Sequence, residues 1–313
     1  MDKIDFTGQV AIVTGAGGGI GRGIARLLAQ RGAKVLVNDY GGNAFGAAGT
    51  TVMADAVVAE IRAAGGEAVA NAAPVGSVES AQAIRDAALK AFGRIDVLVN
   101  NAGIVNYKNV EEITDAELDR VIEINFMGAF RLLRAVWPVM QKQGYGRILN
   151  VASNSSIGFG GMTAYASSKA ALMGLTADSA RQGQPLGILV NSLLPAAATR
   201  MAQSHPDADS IAPGFNKWLS TYFQPEKVAP TAVYLVSKAS TIFGEHYSSG
   251  ANRISRIAHI ATDGYHADPL TPEGIAEHID QIRDTSKSQL VTSGGEELQR
   301  YMGIAPFPAT SEP

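Results

Sequence analysis

The stretch VAIVTGAGGGIGRG, residues 10–23, restricts the fold more than any other part of the chain. An apolar, β-branched run ends in a turn crowded with glycine. That turn opens a segment of helical periodicity over 20–31. A strand that feeds a helix through such a turn starts a βαβ unit. Glycines let the turn take positive φ and bring its backbone close to a ligand. The free N–H groups and dipole of the helix start then favour a pyrophosphate. Gly15, Gly19, Ile20 and Gly21 are placed to form that cradle. The competing reading is a flexible turn that holds no ligand.

The same rhythm repeats downstream. Strand-like runs at 34–38 (KVLVN), 68–72, 96–99 (DVLV), 147–152 (RILNVA) and 187–193 alternate with helical stretches at 50–64, 77–92, 115–143 and 164–182. Continuously apolar strands separated by helices imply a parallel sheet covered on both faces. The expected fold is therefore α/β, a doubly wound, Rossmann-type parallel sheet. After Pro195 the rhythm weakens. Residues 196–224 read as a substrate-covering loop with short helices, 225–238 as a helix and 240–260 as holding a last strand. Thr271-Pro272-Glu273 has the N-cap and N1 residues of a helix start. We expect one domain over 1–245, including the loop 196–224. A C-terminal extension over 246–313 should pack on it and hold loops and a short helix from about 285.

Composition removes several function classes. The 313 residues carry a net charge of −3 and no basic stripe, so no nucleic-acid partner is expected. No apolar run reaches the ~18 residues of a membrane span. The start, MDKIDFTGQV, lacks the apolar core of a secretory signal. The expected setting is cytoplasmic. The absence of cysteine rules out disulfides, thiolate zinc sites and cysteine nucleophiles. His205, His246, His259, His266 and His278 are scattered, so no metal site is expected.

Two features suggest chemistry. Asp39 ends the second strand-like run, 18 residues after Gly21. That is near the ~20-residue spacing of a carboxylate that binds the adenosine ribose. It should accept from the 2′-OH of NAD and repel the 2′-phosphate of NADP. The alternative is a cap on the YGG turn that follows. Tyr165 and Lys169 stand four residues apart on a helical stretch, so both can face one cleft. A nearby ammonium favours the phenolate and should lower a tyrosine pKa from near 10. That would make Tyr165 a general base, and a general acid in reverse. The bland reading is a packed tyrosine and an exposed lysine.

Taken together, Gly15-x-x-x-Gly19-x-Gly21, Asn100-Asn101-Ala102-Gly103 and Tyr165-x-x-x-Lys169 resemble the short-chain dehydrogenase/reductases over about residues 6–240. VNDYGG (37–42), FGRIDVLVNNAGI (92–104) and LPAAATRM (194–201) resemble more closely the (3R)-hydroxyacyl-CoA dehydrogenase module of peroxisomal multifunctional enzymes and its stand-alone bacterial relatives. The last residues, Ser311-Glu312-Pro313, do not match a peroxisomal S-K-L-type signal.

The resemblance implies an NAD-dependent enzyme that interconverts a secondary alcohol and a ketone, with a 3-hydroxyacyl-CoA favoured over a steroid-like substrate. A non-catalytic nucleotide sensor is the other class of reading. Tyr165 and Lys169 would also contact the cofactor, with Lys169 holding the nicotinamide ribose; Asn125 would anchor a water leading to it, and a serine would orient the substrate oxygen. The family serine falls 13 residues before the tyrosine, which is Ala152 here. Alignment by the strand selects Ser153, with Ser155 as the alternative. Asn101, Ala102 and Gly103 would border the adenosine side, and Pro195 and Thr199 the nicotinamide side. Where close relatives carry an acidic residue facing the adenine, this chain has Val75-Gly76, so altered adenine contacts are expected. Met201, Phe215, Trp218, Leu219, Tyr222 and Phe223 offer an apolar lid or ordinary loop packing. Arg200, Lys217, Arg253 and Arg256 are candidates for a CoA phosphate. A homodimer or homotetramer is expected through the helix near 115–143 and the small-residue face Ala170, Ala171, Gly174 and Ala177.

Overall fold

The computed structural model describes residues 3–43, 50–204 and 214–302. Part of the expected substrate loop (205–213) and the end of the expected extension (303–313) lie outside the described residues. Eight strands form one sheet: β1 Val10–Thr14, β2 Lys34–Asn38, β3 Glu67–Asn71, β4 Val97–Asn100, β5 Gly146–Val151, β6 Ile188–Pro195, β7 His246–Gly250 and β8 Arg253–Ile257. Their order is β3-β2-β1-β4-β5-β6-β7-β8. The pairings from β3 through to β7 are parallel. Helices α1 Gly19–Gln30, α2 Val52–Ala63, α3 Val78–Phe92, α4 Asp115–Ile122, α5 Gly128–Gln143 and α6 Thr163–Gly183 make the crossovers. This is the doubly wound α/β sheet expected from the alternation.

Strand side chains alternate between the two faces. Ala11, Val13, Val35, Val37, Val97 and Val99 pack in one core with Ile24 and Leu28 of α1 and Val57 and Ile61 of α2. The residues between them, Ile12, Leu36 and Leu98, pack in a second core with Ile84 of α3 and Leu132, Val136 and Met140 of α5. Strands buried on both faces cannot show polar alternation, which is why they read as unbroken apolar runs.

Helix ends follow local chemistry. Ser77 caps α3 by accepting from Ser80 N, and Gly93 ends it in the left-handed conformation. Thr114 and Glu117 form a capping box at the start of α4. The single helix expected over 115–143 is interrupted by a π-turn, Glu123–Met127, between α4 and α5. After β6 come α7 Arg200–Gln203, α8 Phe215–Tyr222 and α9 Ala229–Leu235. The sheet then continues past the boundary expected at 245. β7 joins it beside β6, and the turn Ala251-Asn252, with φ of 46° and 63°, leads into β8.

The chain divides into two compact units, Met1–Arg256 and Ile257–Pro313. In the second, β9 His259–Ala261 pairs antiparallel with β10 Gln289–Val291. Helices α10 Pro272–Glu277, α11 Ile279–Arg283 and α12 Gly294–Met302 accompany them. Thr271 caps α10 by accepting from Gly274 N, with Pro272 in the first turn. The Tyr265 ring stacks on His278, with centroids 4.0 Å apart.

Candidate active site

β1 and β4 are neighbours although not consecutive, so the crossovers reverse direction between them. Ligands bind at such a switch point, outside the carboxyl ends of the strands. A cleft of about 1530 Å³ lies there, lined by the glycine-rich turn, Asp39, Tyr165 and Lys169.

The turn is built so closely that side chains are excluded. Gly15 and Gly19 have φ of +62° and +51°. A Cβ on Gly21 would stand 2.4 Å from Gly15 O and 2.5 Å from Asn101 Nδ2. Asn101 closes this packing: its Nδ2 donates to Thr14 O at 2.9 Å and Gly15 O at 3.0 Å. Thr14 Oγ1 accepts from the backbone N–H groups of Asn101 and Ala102. The run after β4 therefore staples the turn. Gly18 is different. A Cβ there would meet only Met53 Cε at 3.5 Å and Arg200 Nη2 at 3.8 Å. Asp39 caps the turn that follows it and also holds the glycine-rich turn. Its Oδ1 accepts from Gly41 N at 2.6 Å, capping the turn that follows, and its Oδ2 accepts from Gly17 N at 2.7 Å. The carboxylate still lines the cleft.

At the other end, Tyr165 and Lys169 lie on the first turns of α6, with the ammonium 5.6 Å from the phenol ring centre. Lys169 is buried, and its Nζ donates to Val151 O at 2.8 Å. No carboxylate pairs with it among the described residues, so its remaining protons face a cleft that can supply acceptors. Burial holds its pKa down at about 8. Burial also pushes the Tyr165 phenol up to about 12, with a hydrogen bond to the Ser153 side chain opposing the rise and Tyr107 adding to it. The expected lowering by the ammonium does not prevail. Desolvation of a phenolate on the cleft floor is the largest influence, and the ammonium is not among those that act on the phenol.

Ser153 follows β5 and caps a short 3-10 turn, Asn154–Ile157, by accepting from Ser155 N at 3.1 Å. Ser155 is buried, and its hydroxyl has no partner among the described residues. Both serines line the cleft, but of the two only Ser153 acts on the Tyr165 phenol, holding its pKa down. Asn125 sits at the centre of the π-turn, and its amide is fully used. Oδ1 accepts from Ile104 N at 2.8 Å, and Nδ2 donates to Ile104 O at 2.9 Å and Ser168 Oγ at 3.0 Å. Ser168 in turn donates to Tyr165 O at 2.7 Å. Asn125 thus fixes the loop after β4 and the helix that carries the tyrosine. Gly103 allows this approach, since a Cβ there would lie 3.1 Å from Asn125 Oδ1 and 3.3 Å from Lys169 Nζ. Pro195, the last residue of β6, and Thr199 beyond it line the cleft. The Thr199 methyl comes within 3.2 Å of the Cβ position of Gly19.

The sequence reading did not single out Tyr107. It lines the cleft, and its hydroxyl donates to Met201 O at 2.7 Å, tying the loop before α4 to α7. No motif or periodicity marks that loop. Phe215, Trp218 and Phe223 make an aromatic wall, with ring centres 5.8 Å and 4.7 Å apart.

A glycine-rich turn, a carboxylate and a Ser–Tyr–Lys group thus line one cleft at the switch point of the sheet. The family model described as short chain dehydrogenase matches residues 9–209. The chain belongs to that family, whose oxidoreductases work with a nicotinamide cofactor. It is similar to the peroxisomal multifunctional enzyme type 2 of Mus musculus, 38% identical over 90% of this chain and 38% of that protein. It is also similar to the short-chain type dehydrogenase/reductase Rv0148 of Mycobacterium tuberculosis, 37% identical over 90% of this chain and 96% of that one. Among solved structures, the full-length peroxisomal multifunctional enzyme type 2 of Drosophila melanogaster aligns with a TM-score of 0.77 and 29% identity. That alignment covers 96% of this chain and 50% of the fly chain. The chain spans between 31% and 64% of the multifunctional relatives it matches.

Proposed function

We propose that the protein is an NAD-dependent dehydrogenase that interconverts a 3-hydroxyacyl-CoA and its 3-oxoacyl counterpart. The observation that carries this reading is the convergence of Ser153, Tyr165 and Lys169 on one wall of a cleft whose other end is the glycine turn and Asp39. The residues fit a dinucleotide. The open face at Gly18 admits a pyrophosphate, Asp39 offers a ribose acceptor, and Lys169 is a buried cation with protons to give. The nicotinamide, when bound, supplies acceptance and return of hydride at the substrate carbon. Ser153 orients the substrate oxygen by hydrogen bonding. Tyr165, protonated through neutral pH, gives its proton to a ketone oxygen in reduction; in oxidation its phenolate form, after releasing that proton to solvent, takes the proton of the alcohol. Lys169 is cationic below about 8 and holds the nicotinamide ribose hydroxyls. Asn125 acts through Ile104 and Ser168, by position. The carboxylate of Asp39 selects NAD by repelling a 2′-phosphate.

The aromatic wall of Phe215, Trp218 and Phe223, with Leu219, suits an acyl chain. The likeness to the multifunctional enzymes favours a CoA thioester over a steroid. No helix among the described residues is long and apolar enough to cross a membrane. We further infer a cytoplasmic homodimer or homotetramer joined through α5 and the small-residue face of α6. The test of substrate is NADH formation with NAD and a panel of 3-hydroxyacyl-CoAs, hydroxysteroids and simple secondary alcohols. Turnover of the acyl-CoAs is expected. Turnover of steroids alone would discard the thioester assignment and keep the chemistry.

A further inference from the structure

The end of the cleft beyond Asp39 carries a carboxylate that this chemistry does not use. Glu123 opens the π-turn and lines the cleft with Pro74 and Val75, from the loop after β3. Gly128, the first residue of α5, lets that loop press against the π-turn, because a Cβ there would strike Val75 Cγ1 at 2.3 Å. The contact sets Gly76 beside Glu123: a Cβ on Gly76 would lie 3.9 Å from Glu123 Oε1. Arg131 donates both to Glu123 Oε1 and to Gly76 O, so the carboxylate is held against the loop. Among the described residues Arg131 engages Oε1 alone, and Oε2 is left to accept.

Along the cleft, Tyr165 and Lys169 mark the reacting end, the glycine turn the phosphates and Asp39 the adenosine ribose. The base must then fall beyond Asp39, between the apolar side of Val75 and the π-turn. Gly76 cannot carry an acidic side chain there without strain, since its φ is +153°. We infer that Glu123, positioned by Arg131, reads the base: its free oxygen accepts a hydrogen bond from the exocyclic amino group of adenine. This inference rests on the reading of the cleft as a dinucleotide site. It makes Glu123 a specificity residue for an amino-bearing purine, since a carbonyl oxygen in the same place would face a carboxylate.

The test is calorimetric binding of NADH and of its hypoxanthine analogue, in which the amino group is replaced by a carbonyl oxygen. Wild-type protein should bind the analogue about tenfold more weakly, the size expected for losing a hydrogen bond to a charged group. In Glu123→Gln the gap should shrink to about twofold, because an amide can turn either its oxygen or its nitrogen to the base. The Glu123 side chain is 46% exposed, so the variant should fold, and its thermal unfolding should match wild type. Equal affinity of wild type for the two dinucleotides would overturn the inference, as would an undiminished gap in Glu123→Gln. Either result leaves NADH binding, and so the cofactor reading, intact. Failure of wild type to bind NADH at all would overturn the cofactor reading itself.

Discussion

Replacing Gly21 by alanine tests how tightly the nucleotide turn is built. The added methyl would stand 2.4 Å from Gly15 O and 2.5 Å from Asn101 Nδ2, so the turn or the Asn101 side chain must move. Overpacking of this kind costs ~1–3 kcal/mol. If Asn101 is displaced, its bonds to Thr14 O and Gly15 O weaken, at about 1 kcal/mol each. Against this, alanine is better than glycine inside a helix by ~1 kcal/mol. The net loss is about 3 kcal/mol, which for a domain of this size lowers Tm by roughly 6–12 °C. Gly18→Ala is the control. Its backbone is extended, with φ −167°, and its Cβ would meet nothing nearer than 3.5 Å. Its Tm should stay within about 2 °C of wild type. Scanning calorimetry without cofactor reads both variants. A Gly21→Ala protein that melts with wild type would refute the packing argument, as would a Gly18→Ala protein that melts as early as Gly21→Ala.

Lys169→Met should remove turnover and yet stabilise the fold at neutral pH. Burial lowers the lysine pKa from 10.5 to about 8 in the folded state, so the unfolded chain binds the extra proton between these values. Stability from this group therefore rises with pH through that window and is at its lowest below about 8. Removing the charge, less the cost of leaving Val151 O unpaired, should gain about 2 kcal/mol near pH 7 and little above pH 10.5. Chemical denaturation across pH gives the slope, and a gain that does not shrink at high pH would contradict it. Asp39→Asn should weaken NADH binding about tenfold and narrow the preference over NADPH, read by fluorescence titration. Tyr107→Phe removes the bond to Met201 O and should raise KM several-fold with kcat nearly unchanged. Gly174 is exposed, and a Cβ there meets nothing within 4 Å, so Gly174→Arg should fold but fail to assemble. Light scattering should then show monomer where wild type shows dimer or tetramer.

Local signals carried much of this account. The parallel sheet was legible because strands buried on both faces leave unbroken apolar runs. The nucleotide turn was legible because only glycine fits between Gly15 O and Asn101. Tyr165 and Lys169 reach one cleft because four residues make about one helical turn. What stayed hidden depends on distant neighbours. The rise of the Tyr165 pKa comes from burial on the cleft floor, and no spacing reports that. The π-turn at Asn125 forms where its amide bonds the backbone of Ile104, 21 residues away in sequence. A poor helix former in mid-helix was the only hint. Tyr107 and Glu123 gain their roles from segments that meet only after folding. The last strands were blurred because 240–260 holds a hairpin with non-glycine residues at positive φ, Ala251 and Asn252.

The most direct test of the central claim compares wild type with Tyr165→Phe, measuring NAD-dependent oxidation of a 3-hydroxyacyl-CoA beside NADH affinity. The phenol hydroxyl is assigned the proton transfer, while the glycine turn, Asp39 and Lys169 carry most of the cofactor's affinity. Loss of its hydroxyl should cut kcat/KM by about a thousandfold, while the NADH Kd changes by no more than about twofold. A Tyr165→Phe enzyme that keeps most of its rate would place the proton transfer elsewhere and contradict the account.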